Sequence, residues 1–188
     1  MAKIEVFNLS PVDYAGAGYV GVPGNREFFI QGTKDGISKS VHLEKQQLEH
    51  ISLQAIKFLD LISNDFGQEK IATPANFDDA LLREPLETFF RAHTMSIIFD
   101  EHNMLLTLAF RESDIDVESF DEQTLVNTEH IVFTDAMVED KILRLTMTRT
   151  QLRALAVQGS LAVGKGREIC ELCLMPKNID GHICPRMN

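Results

Sequence analysis

The 188-residue sequence has no apolar run approaching the roughly 18 consecutive residues that a membrane-spanning helix requires, so no membrane partner is expected. Its opening, Met1-Ala2-Lys3-Ile4-Glu5-Val6, lacks an apolar stretch leading to a small-residue cleavage site, and no secretory signal is read there. Cysteine is scarce: three residues, an odd number that cannot all pair, point to a reduced, cytoplasmic protein. Catalytic signatures are missing as well. His42, His50, His93, His102 and His130 form no HExxH or other spaced pair, and no G-x-S-x-G elbow exists. What remains is of ordinary globular composition, 44% apolar and 24% charged, which excludes disordered and collagen-like chains. The length suits one domain with a small appendage and is enough to bury a proper apolar core.

Two glycine-rich strings imitate nucleotide-binding motifs. Gly16-Ala17-Gly18-Tyr19-Val20-Gly21 matches G-x-G-x-x-G, but Val22-Pro23-Gly24-Asn25 follows, and no helix N-terminus is there to receive a pyrophosphate. Gly159-Ser160-Leu161-Ala162-Val163-Gly164-Lys165 resembles a P-loop, yet Gly166 stands where Ser or Thr should hold magnesium. The string also closes a helix instead of opening one. Neither is read as a phosphate site.

The first forty residues read as a meander of short antiparallel strands. Val12–Val22 and Glu27–Gln31 are rich in aromatic and β-branched residues around a Pro23-Gly24-Asn25 turn, and Ile37–Leu43 alternates at period two. From Lys45 to Asn64 the period changes: Leu48, Ile51, Ala55, Phe58 or Leu59, and Ile62 share one helical face. A long connection over 65–86, with a helical turn at 78–83, leads to strand-like runs at 88–100 and 104–111 joined by a hairpin at 101–103. An acidic stretch over 112–122 reads as a solvated loop. Its acids lack the pacing and glycine turn of a calcium loop. Strand character returns at 130–133 and 141–147. A second helix then starts at Thr148, with Gln151 completing a capping box and Gly164 ending it.

A repeat is audible across this order. Val41-His42-Leu43-Glu44-x-x-Gln47-Leu48 resembles Leu145-Thr146-Met147-Thr148-x-x-Gln151-Leu152, each a strand running into a helix at an offset of 104 residues. Strands interrupted by two principal helices indicate an α+β fold with a mainly antiparallel sheet. The expected organisation is an α+β domain over 1–164 carrying a short zinc-bound module at 165–188.

Charge is unevenly spread. The chain carries a net −10, which argues against a general nucleic-acid coat. Residues 141–188 nevertheless hold eight bases against three acids, +5, leaving −15 for the remainder. Solvation is the bland explanation; a basic end that meets an acidic partner is the sharper one. Lys165, Arg167 and Arg186 are the candidate contacts.

All three cysteines fall within fifteen residues, as Cys170-Glu171-Leu172-Cys173 followed by His182-Ile183-Cys184. Two thiolates two residues apart can grip one cation from a tight turn, and the Lys177–Gly181 segment lets the chain reverse to present His182 and Cys184. A soft S₃N set suits tetrahedral zinc, and four protein ligands leave no position for a catalytic water. The site is therefore expected to be structural, with Cys170, Cys173, His182 and Cys184 as ligands. A Cys₃ site completed by another group is the alternative, because one residue between His182 and Cys184 is a short spacing.

The strings Phe28-Phe29-Ile30-Gln31, Val41-His42-Leu43-Glu44-Lys45-Gln46-Gln47, Phe90-Arg91-Ala92-His93-Thr94-Met95, Cys170-x-x-Cys173 and Gly181-His182-Ile183-Cys184-Pro185-Arg186 together resemble one uncharacterised, mainly actinobacterial family. It is domain-of-unknown-function family 3090, and the likeness runs essentially end to end. The family's usual knuckle is Cys-Pro-x-Cys-Gly; here Glu171 and Leu174 stand in place of the Pro and Gly, and both thiols remain. The resemblance implies a cytoplasmic protein with a zinc-like C-terminal module and supplies no activity.

Glu44-Lys45-Gln46-Gln47 admits two uses. It can cap a helix backward, or it can turn polar groups toward a ligand. The leading functional reading is a non-catalytic binding or adaptor protein with an unknown protein partner. The alternatives are an enzyme with a polar pocket near Glu44, Gln47 and His93, or an RNA or ribosome contact through the basic end.

Overall fold

Turn residues and period-two patterning divide most of the chain into strands. The structure, a computed structural model, describes residues 3–66, 80–113, 130–132 and 139–164. The strands are β1 (Lys3–Leu9), β2 (Tyr14–Val22), β3 (Asn25–Lys34), β4 (Ile37–Leu43), β5 (Thr88–Arg91), β6 (Thr94–Asp100), β7 (Leu105–Arg111), β8 (His130–Val132) and β9 (Glu139–Met147). Helix α1 spans Lys45–Phe66 and helix α2 spans Arg149–Gly164. The β2–β3 and β3–β4 turns use Gly24 at φ +97° and Gly36 at φ +79°, where a Cβ would be strained.

The strands form two sheets. One has the order β6-β7-β9-β1-β8 and the other β2-β3-β4-β5. Pairing is antiparallel except for β4–β5 and β1–β9, which are parallel. Over the described residues the fold is therefore α+β and mainly antiparallel, with two helices, as the pattern predicts. The expected zinc-bound module and most of the acidic loop lie outside the described residues; of the helical turn expected at 78–83, residues 80–83 are described, and only Ala80 among them is helical.

Two expectations need correction. The N-terminal region is not simply an antiparallel meander, because β1 precedes it and pairs parallel with β9, Lys3 opposite Glu139 through Leu9 opposite Leu145. The pairing is remote in sequence, so no local turn announces it. The single run read at 88–100 is also two strands in different sheets. Ala92 N–H donates to His42 O at 2.9 Å and His93 N–H to Arg111 O at 2.7 Å, so the chain leaves one sheet and joins the other between adjacent residues.

The sequence repeat has a structural counterpart. β2-β3-β4-β5 and β6-β7-β9-β1 follow the same order, hairpin, third strand, then a parallel fourth, and a helix leaves each third strand directly. Registers agree: Leu43 faces Phe28 and Val41 faces Ile30, while Met147 faces Leu106 and Leu145 faces Leu108. After each fourth strand one amide returns to the third, Ala92 N–H to His42 O and Val12 N–H to Thr146 O, at 2.9 and 2.8 Å. The second half takes its fourth strand, β1, from the beginning of the chain.

One buried cluster joins the halves, drawing on both sheets and both helices. α1 contributes Leu48, Ile51, Ala55, Leu59 and Ile62, all at most 4% exposed; α2 contributes Leu152, Leu155, Ala156, Ala162 and Val163. Side chains like these stabilise by about 1.5–3 kcal/mol each when fully buried. The helices approach closely at Gly159, where an added Cβ would overlap Ser52 Oγ and stand 3.2 Å from Leu48 Cδ1. α2 also packs against β2, the first strand of the other half.

Candidate functional site at the strand-to-helix junctions

A helix that begins straight from a strand exposes amide donors which must find acceptors. At the first junction Glu44 N–H donates to Gln47 Oε1 at 2.8 Å, so Gln47 caps backward. The other end of the same amide, Nε2, donates to Ala92 O at 3.1 Å and His93 O at 3.3 Å. At the second junction Thr148 N–H donates to Gln151 Oε1 at 3.0 Å and Gln151 N–H to Thr148 Oγ1 at 3.2 Å, the capping box read from sequence. Gln151 Nε2 donates to Val12 O at 3.1 Å. Each glutamine thus caps its helix and ties down the chain leaving the parallel fourth strand.

Glu44, Gln47 and His93 therefore do converge, and their geometry is that of a fastening. The Glu44 carboxylate pairs with the Arg91 guanidinium across an exposed surface. His93 presents its backbone carbonyl to Gln47, and its ring is exposed. His42, on β4, stacks edge-on against Phe29 with ring centroids 5.4 Å apart. Burial holds the His42 pKa below its ordinary 6.5, the Arg91 charge lowers it further, and Glu27 opposes them.

Other polar residues do similar work that sequence reading did not assign. Gln31 is 1% exposed. Its Oε1 accepts from Arg83 N–H at 2.9 Å, and its Nε2 donates to Arg83 O at 2.8 Å, Pro85 O at 3.2 Å and Ser38 Oγ at 2.9 Å. It pins residues 83–85 to the sheet. The signal was a lone amide closing the buried run Phe28-Phe29-Ile30. Buried Asp140 accepts from Arg111 Nε at 2.7 Å and Ser113 N–H at 3.1 Å, binding the end of β7 to β9.

The glycine string 16–21 lies within β2, far from any helix start. Its glycines serve close packing: a Cβ on Gly16 would overlap Leu81 O, and one on Gly18 would stand 3.0 Å from Leu82 Cγ. The P-loop-like string runs along the last turns of α2 to its end at Gly164.

The basic segment is not one free surface where it is described. Lys141 pairs with Glu112 at 3.6 Å, Arg153 pairs with Asp60 at 2.9 Å, and Arg149 is buried near the Phe99 ring. The other contact candidates, Lys165, Arg167 and Arg186, lie outside the described residues, as do Cys170, Cys173, His182 and Cys184. Among the described residues no cluster of three or more His, Cys, Asp or Glu is placed to hold a metal. No described helix is long and apolar enough to cross a membrane.

A described groove of about 260 Å³ lies one turn along α1 from Gln47, lined by His50, Ile51, Gln54, Phe58, Met95, Ser96 and Ile97. It gathers no set of convergent ionisable groups. Among family models, one described as "Protein of unknown function (DUF3090)" matches residues 7–184. No curated protein and no solved structure matches.

Proposed function

Because the chain belongs to this family, whose description carries no activity, we propose from its own residues that it is a non-catalytic binding or adaptor protein. Its C-terminal module is held by zinc on Cys170, Cys173, His182 and Cys184. The observation that carries the reading is the employment of the polar strings. Gln31, Gln47 and Gln151 use both ends of their amides to fasten loops, which makes the body a stiff platform. The donor chemistry then concentrates in the last two dozen residues, whose S₃N set suits a closed structural zinc site. Few large apolar groups accompany it, so metal would supply the missing stabilisation.

Elemental analysis of protein made in zinc-replete medium should find about one zinc per chain, lost in Cys170→Ser and Cys173→Ser. Protein free of stoichiometric metal would sink the zinc assignment. Reversal of Lys165, Arg167 and Arg186 to Glu should abolish salt-sensitive partner capture and leave zinc content intact. Nuclease treatment before capture separates an RNA partner from a protein one. Unchanged capture by the triple variant removes the basic tail from the binding surface. The enzyme alternative requires Gln47 or His93 substitutions to remove a turnover that the tail reversals spare.

A further inference from the structure

β6 differs from every other described sheet edge. β8 is described over three residues only, and β5 has four, a length that offers a second strand little to pair with. β2, the counterpart of β6 in the other half, is buried on both faces from Ala15 through Gly18, against α2 and residues 80–82. β6 has seven residues and pairs with β7 without a bulge from Thr94–Arg111 to Asp100–Leu105. It has no Pro and no Lys or Arg, and none of its residues is fully buried. Among the described residues no strand pairs with its outer edge, which has no proline, lysine or bulge to guard it.

The ground beside that edge is apolar. Met95, Ile97 and Phe99 form one half-buried row facing α1, and the 260 Å³ groove runs between this row and His50, Gln54 and Phe58. Leu61 of α1, 61% exposed, extends the helix's apolar flank. Phe66 stands at the far end, 5.3 Å from the Phe99 ring. The equivalent space between α2 and β2 is closed by small residues, whereas here a neighbouring strand's side chains have room.

We propose that this edge pairs with β6 of a second copy of the chain, antiparallel about a twofold axis at Ile97. The strand is complementary to itself in that register. Met95 faces Phe99 of the second copy, Ile97 faces Ile97, Ser96 faces Ile98, and Thr94 faces Asp100. Apolar meets apolar on the helix side, and no like charges are opposed. The two five-stranded sheets become one, both α1 helices lie on the same face, and the second copy's Met95, Ile97 and Phe99 enter the groove.

The test is the mass in solution of the full-length chain across a concentration series, by sedimentation velocity. The wild type should associate to a dimer. Ser96 and Ile98 are exposed and alternate with the half-buried Met95, Ile97 and Phe99, so Ser96→Lys with Ile98→Lys leaves the core untouched while placing lysine opposite lysine. That variant should dimerise at least about 100-fold more weakly with an unchanged melting curve. Mixing it with the Ser96→Glu, Ile98→Glu variant should restore a mixed dimer. A wild type that stays monomeric at high micromolar concentration overturns the proposal and leaves the edge to an unrelated extended segment. A dimer indifferent to both double variants also overturns it, by placing the contact on another face.

Discussion

Gln47 shows how a residue suggestive of ligand binding can be wholly occupied by the fold. Its carbonyl end serves as a cap and its amino end as a tether, so the two roles separate chemically. Gln47→Ala loses both and should lower unfolding free energy by about 1–2 kcal/mol. Gln47→Glu keeps an acceptor for Glu44 N–H but turns a carboxylate toward the Ala92 and His93 carbonyls, and should fare no better. Urea unfolding measures both, and a glutamate variant as stable as wild type would refute the tether. His42 makes a second residue-scale prediction. Its folded pKa lies below the ordinary 6.5, chiefly through burial and then through Arg91. The unfolded chain therefore binds a proton at higher pH than the folded one. This contribution is complete above about pH 6.5 and is lost as pH falls through the unfolded value toward the folded one. His42→Phe should flatten that part of the stability profile; an unaltered slope between about pH 7.5 and about pH 5 would show that other groups govern it.

At the level of elements, the helix contact at Gly159 invites a double-mutant cycle. Ser52 Oγ is buried and has no hydrogen-bond partner among the described residues, so Ser52→Ala should be neutral or stabilising. Gly159→Ala alone should destabilise by about 1–3 kcal/mol through overpacking, despite the better helix propensity of alanine. With Ser52→Ala present, the new Cβ meets another Cβ at an ordinary 3.5 Å, and most of that loss should be recovered. Thermal and urea denaturation of the four proteins decide it; strict additivity would mean the helices part easily. Legibility in the sequence followed the range of the forces at work. The helical faces, the Thr148–Gln151 box and the alternation in β4 were readable because they depend on neighbours a few residues away. β1 was not, because its partner β9 begins 130 residues after Leu9. Nor was the break at Ala92–His93, because Thr88–Asp100 stays apolar and β-prone while changing sheets. The Glu44–Gln47 string was legible as polar and important, but its object, the carbonyls beyond β5, was set by topology.

Across the whole molecule, the body has its own apolar core spanning both halves, so it should stand without the C-terminal module. Chelation of the proposed zinc should leave amide protection over residues 3–164 largely unchanged and expose only 165–188, as hydrogen exchange would report. Loss of protection throughout would move the module into the core and abolish the boundary at 164. The duplicated plan also has a consequence for how the chain is made. The first half, β2 through β5, is continuous and can close on itself as it leaves the ribosome. The second half is not: its fourth strand β1 is synthesised before the whole first half, and its partner β9 after β7. At about 5–20 residues per second, Leu9 waits roughly 7–26 s for the first residue of that partner. Until β8 is made, shortly before β9, Ile4, Val6 and Leu9, all buried in the finished protein, have no native strand beside them. The nascent chain thus carries an uncovered apolar strand while well over a hundred further residues are added, a natural client segment for whatever holds unfinished chains apart.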